Sequence, residues 1–328
     1  MTAPAIYGPD PMEIEGVQGQ RYWINEFYPF TGIREVDERL SGYPIAVFQP
    51  TWRDPAETPV LIGVQGMCAP YLWSAFLAPM LLEMGIATVL VEAPFGGERS
   101  MSRNSRADAV AEVALLIKYD IPIDASLLDR MMQAMSRDLR TVISLIEERH
   151  GLRNPRRALF GVSLGTLLTS YAFMREGIGQ RLLGTIGHAD LLSFAKTFKP
   201  AFAPLIVSLP QKTIRRLARL IFGHTVEAGI EFIGMLDELS RPHNHCLAAN
   251  PMTYSHRVDA SRPVRFLVGD ADPFVKVQDA IDCAAHFPNG ASYVVPGLAH
   301  GVSVDGPTFM DHVRYYVSTQ LGDWRPGQ

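Results

Sequence analysis

The sequence has little of several things that would have narrowed its class at once. Only three cysteines occur in 328 residues, Cys68, Cys246 and Cys283. Their number is odd and their spacings are wide, so no disulfide framework is expected, in keeping with a reducing compartment. No stretch reaches the about 18 uninterrupted apolar residues of a transmembrane helix, so no membrane span is expected. Charge of one sign is not in large excess. The formal net charge is −4 and the isoelectric point lies near 6.1, which removes the electrostatic ground for a nucleic-acid partner. The tightest basic group, Arg215, Arg216 and Arg219, reads as a solvated helix face. Met1 to Gln20 is polar and rich in Pro and Gly, without the basic start and apolar run of a secretory signal. The expected location is therefore cytoplasmic.

What is present is an ordinary globular composition, 47% hydrophobic and 20% charged. The length suits one large domain, or a domain carrying a sizeable insertion. Short apolar runs alternate with helix-like stretches, the signature of a mostly parallel sheet covered by helices. Tyr43 to Gln49, Pro59 to Val64, Ala87 to Val91, Arg157 to Val162, Leu182 to Ile186, Val264 to Val268 and Ser292 to Val295 read as strands. Leu72 to Met84 reads as a helix restarted or kinked at Pro79. The spacing of Leu128, Met131, Met135, Leu139, Val142 and Ile146 predicts a helix from Asp124, as N-cap, to His150, with Gly151 as its stop. Leu164 to Met174, Val277 to His286 and Pro307 to Leu321 are further helices. From about Leu191 to Ser255 the alternation stops, and helical stretches near Thr213 to Phe222 and Val226 to Leu239 stand between Pro and Gly. The expected organisation is a core of residues 1–190 and 256–328 interrupted by a helical insertion, 191–255.

Gly161-Val162-Ser163-Leu164-Gly165 is a G-x-S-x-G match. By itself the pattern is common, but here an apolar strand ends just before Ser163 and a helix begins just after it. That strand–turn–helix setting is the one a nucleophile elbow requires. Side chains two residues either way would meet the strand and the helix, which accounts for the two glycines. A serine hydroxyl also needs a base. Downstream, Gly269-Asp270-Ala271-Asp272-Pro273-Phe274-Val275 and Gly297-Leu298-Ala299-His300-Gly301 each follow a strand, where the ligand sites of such sheets form.

On these residues the chain resembles the α/β-hydrolase superfamily, particularly its esterases and dienelactone-hydrolase-like members, outside the insertion and the first twenty or so residues. The resemblance implies a mostly parallel α/β-hydrolase sheet flanked by helices with a helical cap, and a triad in the order Ser163, acid, His300. A G-x-x-D-x-x-V segment supplies the acid in that family. Gly269, Asp272 and Val275 match it, so Asp272 is preferred, Asp270 is read as a turn residue, and Asp190 is a third candidate. The oxyanion hole would use the N–H of Leu164 and, from the loop after the strand at 59–64, that of Met67. Gln65 stands where the family often has His, and Cys68 reads as a small buried residue.

The Pro94 to Arg99 segment resembles a loop bordering the site in relatives. Arg99 is read as half of a structural ion pair, with a substrate carboxylate as the other reading. His243-Asn244-His245-Cys246 does not match zinc-ligand spacing and reads as a polar turn. The function implied is cleavage of a small-molecule carboxylic ester through an acyl-enzyme, without metal or organic cofactor. Acyl transfer or thioester cleavage by the same triad, and a non-catalytic binding protein of the same fold, are the alternatives. The apolar insertion would suit an uncharged, moderately hydrophobic acyl or alcohol group. Oligomeric state is left open.

Overall fold

Runs of β-branched and aliphatic residues without a polar alternate can be strands only where both faces of a sheet are covered. The computed structural model describes residues 3–66, 69–101, 115–116, 118–122, 124–197, 234, 237–301 and 307–326. In it β3 (Gly42–Phe48), β4 (Val60–Val64) and β5 (Ala87–Val91) are buried at every position. With β1 (Ala5–Ile14), β2 (Val17–Asn25), β6 (Arg157–Val162), β7 (Arg181–Thr185), β8 (Val264–Gly269) and β9 (Gly290–Val295) they form one sheet, in the order β1-β2-β3-β5-β4-β6-β7-β8-β9. The pairs from β1 through β5 are antiparallel, and those from β5 through β9 are parallel. After β4 the chain goes to one side, to β5, and then returns across β4 to β6. The loops leaving β4 and β6 therefore part, opening a crevice at the carboxyl ends of these two strands.

Apolar clusters lie on either side of the sheet. Alternate β4 residues divide between them, Val60, Ile62 and Val64 to one and Leu61 to the other. Helix α1 (Arg34–Ser41) leads into β3. The helical reading of 72–84 resolves into 3-10 turns, Tyr71–Leu77, followed by α2 (Ala78–Glu83), in whose first turn Pro79 costs no hydrogen bond. Helix α3 (Ala125–His150) starts at Asp124, whose carboxylate accepts the Leu127 N–H at 2.8 Å, and ends at Gly151 with φ 69°. Helix α4 (Leu164–Glu176) is buried over almost its whole length. Helices α5 (Asn244–Ala249), α6 (Val277–Ala285) and α7 (Phe309–Gln320) follow along the chain.

One segment without an expected element gains structure, and one expectation changes. The N-terminal segment is a hairpin, β1–β2, turning at Glu15 and Gly16, both at positive φ. Its first strand is an edge, where prolines are tolerated and little apolar periodicity is needed. The His243 to Cys246 segment is not a turn but the start of α5, and no metal-ligand cluster exists among the described residues. In the 191–255 stretch, residues 191–197 are helical. The helical readings at 213–222 and over most of 226–239 lie outside the described residues.

Arg99 is fully buried and pairs with fully buried Asp138 at 2.6 Å. Its guanidinium also donates to the Leu40 carbonyl at 2.5 Å and stands 5.3 and 4.7 Å from the rings of Phe30 and Tyr43. The charge is thus occupied within the core, joining the segment after β5 to α3. Asp138→Ala leaves that cation buried without its partner and is expected to lower unfolding free energy by about 3–5 kcal/mol. Urea denaturation measures this. A paired apolar replacement, Arg99→Met with Asp138→Leu, is expected to recover most of the loss.

Candidate active site

Ser163 sits where β6 turns into α4, at φ 51° and ψ −120°. A side-chain-bearing residue in such a conformation costs about 1–3 kcal/mol. The surroundings enforce it. The Ser163 N–H donates to the Thr185 carbonyl, and the Ser163 carbonyl accepts the Thr166 N–H, both at 2.9 Å. A Cβ on Gly161 would lie 2.5 Å from the Gly165 carbonyl oxygen, and one on Gly165 would lie 2.3 Å from that of Val64. Helix α4 thus crosses β4 and β6 at backbone contact, and Ser163 is the residue left at the bend.

Leu164 is the first residue of α4, so its N–H is one of the first-turn donors that have no intrahelical acceptor. The helix dipole adds positive potential there. Met67, the second expected donor, and Cys68 lie outside the described residues. Gly66 before them is described, and a Cβ there would come within 3.2 Å of the Ser163 Cβ. Gln65 is buried, and its Nε2 donates to Ser74 Oγ at 2.6 Å, anchoring the start of this loop to the 3-10 turns.

On the other side of Ser163, two loops are locked together. A Cβ on Gly269 would fall 1.7 Å from the Leu298 carbonyl oxygen, which shows how closely the chain after β8 meets the chain after β9. That carbonyl accepts the Ala271 N–H at 3.2 Å, and Asp270 Oδ1 accepts the Gly297 N–H at 2.7 Å. Asp270 is therefore a turn residue. Asp272 turns inward, its side chain 0% exposed, and Oδ2 lies 2.8 Å from His300 Nδ1. Its Oδ1 accepts the N–H groups of Phe274 at 2.8 Å and Val275 at 3.1 Å. The three donors satisfy a carboxylate removed from water. With Nδ1–H given to Asp272, the imidazole presents Nε2 as an acceptor, and Nε2 is 3.0 Å from Ser163 Oγ. Phe274 meets the imidazole edge-on, with ring centroids 5.2 Å apart.

Ser163, His300, Asp272 and the Leu164 N–H are thus brought to one place. Asp190 is not. Its Oδ1 accepts from the Leu192 N–H at 3.1 Å and from Asn250 Nδ2 at 2.9 Å. Asn250 Oδ1 in turn accepts the Leu191 N–H at 3.1 Å. This tie joins the two ends of the 191–255 stretch beside the carboxyl end of β7. Neither Gln65 nor Asn250 was singled out from the sequence as a structural anchor, because an amide in a loop carries no periodicity.

No protein-family model matches the sequence, and no curated protein matches it. Solved structures do resemble the fold. An esterase of Pyrococcus furiosus is similar over 96% of this chain and 91% of its own, at 12% identity and a TM-score of 0.52. An esterase of Butyrivibrio proteoclasticus is similar over 97% and 99%, at 12% identity and a TM-score of 0.52. The acylaminoacyl peptidase of Pyrococcus horikoshii is similar over 88% of this chain but 40% of its own, at 12% identity and a TM-score of 0.56. The fold is that of the α/β-hydrolases.

The clamp between the two acid-side loops yields a stability prediction. Gly269→Ala forces the Leu298 carbonyl away and is expected to destabilise the fold by about 1–3 kcal/mol, as overpacking does. The shift of the urea midpoint measures it. Asp270→Asn keeps an acceptor oxygen for the Gly297 N–H and is expected to shift the midpoint less.

Proposed function

We propose that the chain is a serine hydrolase that cleaves carboxylic esters through an acyl-enzyme. The carrying observation is the continuous line from Ser163 Oγ through His300 to buried Asp272, with contacts of 3.0 and 2.8 Å. In this reading His300 Nε2 takes the Ser163 proton as Oγ attacks the acyl carbon. Asp272 holds the ring in the tautomer that makes Nε2 basic and stabilises its charged form. The N–H groups of Leu164 and Met67 hold the oxyanion. His300 then returns its proton to the departing alcohol oxygen. A water, activated by the same imidazole, adds to the acyl carbon, and Ser163 leaves with the proton restored. The reaction so described draws on side chains, backbone and water alone.

We assign residues 191–255 to a cap over this site, inserted between core segments 1–190 and 256–328. Support comes from the Asp190–Asn250 tie, which brings the start of the stretch and residues near its end together, and from the helical start at 191–197. Phe194 is half-buried, packs with Val268, Val275 and Ala280, and contacts the ring of His188. Phe198 and Phe202 of the same stretch lie outside the described residues.

A fluorophosphonate is expected to label the chain once, at Ser163, with Ser163→Ala abolishing both labelling and ester turnover; persistent labelling of the variant rejects the assignment. Asp272→Asn is expected to lower kcat by about 10⁴-fold, as in other serine triads, and Asp270→Asn by much less. Product analysis with an added alcohol or thiol acceptor separates hydrolysis from acyl transfer. In a series of p-nitrophenyl esters of increasing acyl length, each methylene accommodated by an apolar pocket is expected to change kcat/KM by about 1–3 kcal/mol equivalent. Phe194→Ala should move the optimum. An unmoved profile would show that Phe194 packs the cap base without lining the pocket.

A further inference from the structure

Glu92, directly after β5, is a fully buried carboxyl to which the proposed chemistry gives no task. Its Oε2 accepts the N–H of Glu98 at 3.3 Å. Its Oε1 is buried with no hydrogen-bond partner among the described residues. The surrounding charges are committed elsewhere. Arg99 is paired with Asp138, and Glu98, on the same loop, is paired with Arg21 of β2. From the 3-10 turns, the Tyr71 N–H faces the carboxyl as a further donor.

The chain is wound closely about this acid. A Cβ on Gly97 would lie 2.4 Å from Glu92 Oε2, and one on Gly96 would lie 3.0 Å from Oε1 and 3.5 Å from the Ala69 carbonyl oxygen. The acid, the loop 93–99 and the chain after β4 therefore lie close in succession, and a Cβ on Gly66 of that chain would come within 3.2 Å of the Ser163 Cβ. Gln65 and Glu92 are the first residues beyond the paired ends of β4 and β5, where Val64 meets Val91 in parallel register. Gln65 Oε1 is likewise buried without a partner. An ionised Glu92 would add only acceptors to this region, whereas a protonated one supplies a donor.

We propose that Glu92 in its uncharged form is a positioning residue, the interior post around which the loop 93–99 is wound, and that its ionisation loosens this loop and the described chain after β4, Ala69 and Gly66, beside Ser163. The inference rests on the serine-hydrolase reading of the site. Burial pushes the carboxyl up to about 8, helped by the charge of Glu98 and opposed by the Glu98 N–H, Arg99 and the Tyr71 N–H. Between the usual carboxylate range and that value the folded chain keeps a proton that the unfolded chain has lost, so this group's contribution to stability falls as pH rises through the window. Above it the folded carboxyl itself ionises. Cys246 and Cys283 are pushed to about 11 and about 12 by burial and do not titrate there.

The test compares the full-length wild type with Glu92→Gln, which keeps the shape but cannot ionise, and Glu92→Ala, which removes the post. Wild-type kcat/KM on a p-nitrophenyl ester is expected to fall above pH about 8, tending toward tenfold per pH unit for one proton lost. Glu92→Gln should retain neutral-pH turnover and lose that fall, while Glu92→Ala should be impaired at every pH. Thermal midpoints supply a readout independent of turnover: the advantage of Glu92→Gln over wild type should be absent in acid and grow toward pH 8. A parallel alkaline fall in Glu92→Gln, or neutral turnover as poor as that of Glu92→Ala, overturns the proposal. Absence of fluorophosphonate labelling in the wild type instead rejects the hydrolase reading, and leaves the thermal titration of Glu92 to stand or fall separately.

Discussion

The bend at Ser163 exists because α4 lies against β4 and β6 at backbone distance, and most of the crevice is arranged around that contact. A parallel strand must hand its chain to a helix that packs back on the sheet. Here the approach is so close that neither Gly161 nor Gly165 has room for a Cβ. The reversal falls on the one residue between them that carries a hydroxyl, held at positive φ by hydrogen bonds to Thr185 and Thr166. The strain of about 1–3 kcal/mol is local, whereas the packing that enforces it is distributed over a buried helix. The direction of the serine is consequently set by the fold itself.

His300 needs a different device, since it stands on a loop. The loop is made rigid by its neighbour: Leu298 is wholly buried, its carbonyl lies against Gly269 and accepts the Ala271 N–H, and the Gly297 N–H is held by Asp270. The same arrangement turns Asp272 inward to meet the imidazole. The G-x-x-D-x-x-V pattern acquires a physical meaning from this. Gly269 permits the approach, Asp272 carries the charge, and Val275 both donates its N–H to that charge and packs into the apolar cluster with Val268 and Ala280.

Buried polar groups divide into two kinds here. Arg99 and Asp138 neutralise one another inside the core and join the loop after β5 to α3. Glu92, a few residues earlier, has no cation in contact among the described residues and accepts the Glu98 backbone N–H. Burial pushes both carboxyls up, but only Asp138 has a cation in contact to oppose it. The segment from Glu92 to Arg99 therefore has one end fixed by a charge pair and the other by a titratable group.

Elements with long, regular periodicity were legible from residues alone: α3 with its Asp124 cap and Gly151 stop, the inner strands, and the strand–helix junction at Ser163. Each is specified by neighbours within a few positions, where period, capping and glycine placement act. The N-terminal hairpin was not legible, because an edge strand with Gly8, Pro9 and Pro11 buries too little to show a period. Nor were the long-range partnerships: Arg99 with Asp138, Gln65 with Ser74, Asn250 with Asp190, and the enclosure of Glu92. The sequence by itself determined which polar side chains stand at the strand ends, Ser163 after β6, Asp270 and Asp272 after β8 and His300 after β9. Tertiary structure decided which of the downstream aspartates meets His300 and which polar side chains are spent as anchors, because those outcomes depend on how far apart separate loops come to rest, and a local pattern carries no distance.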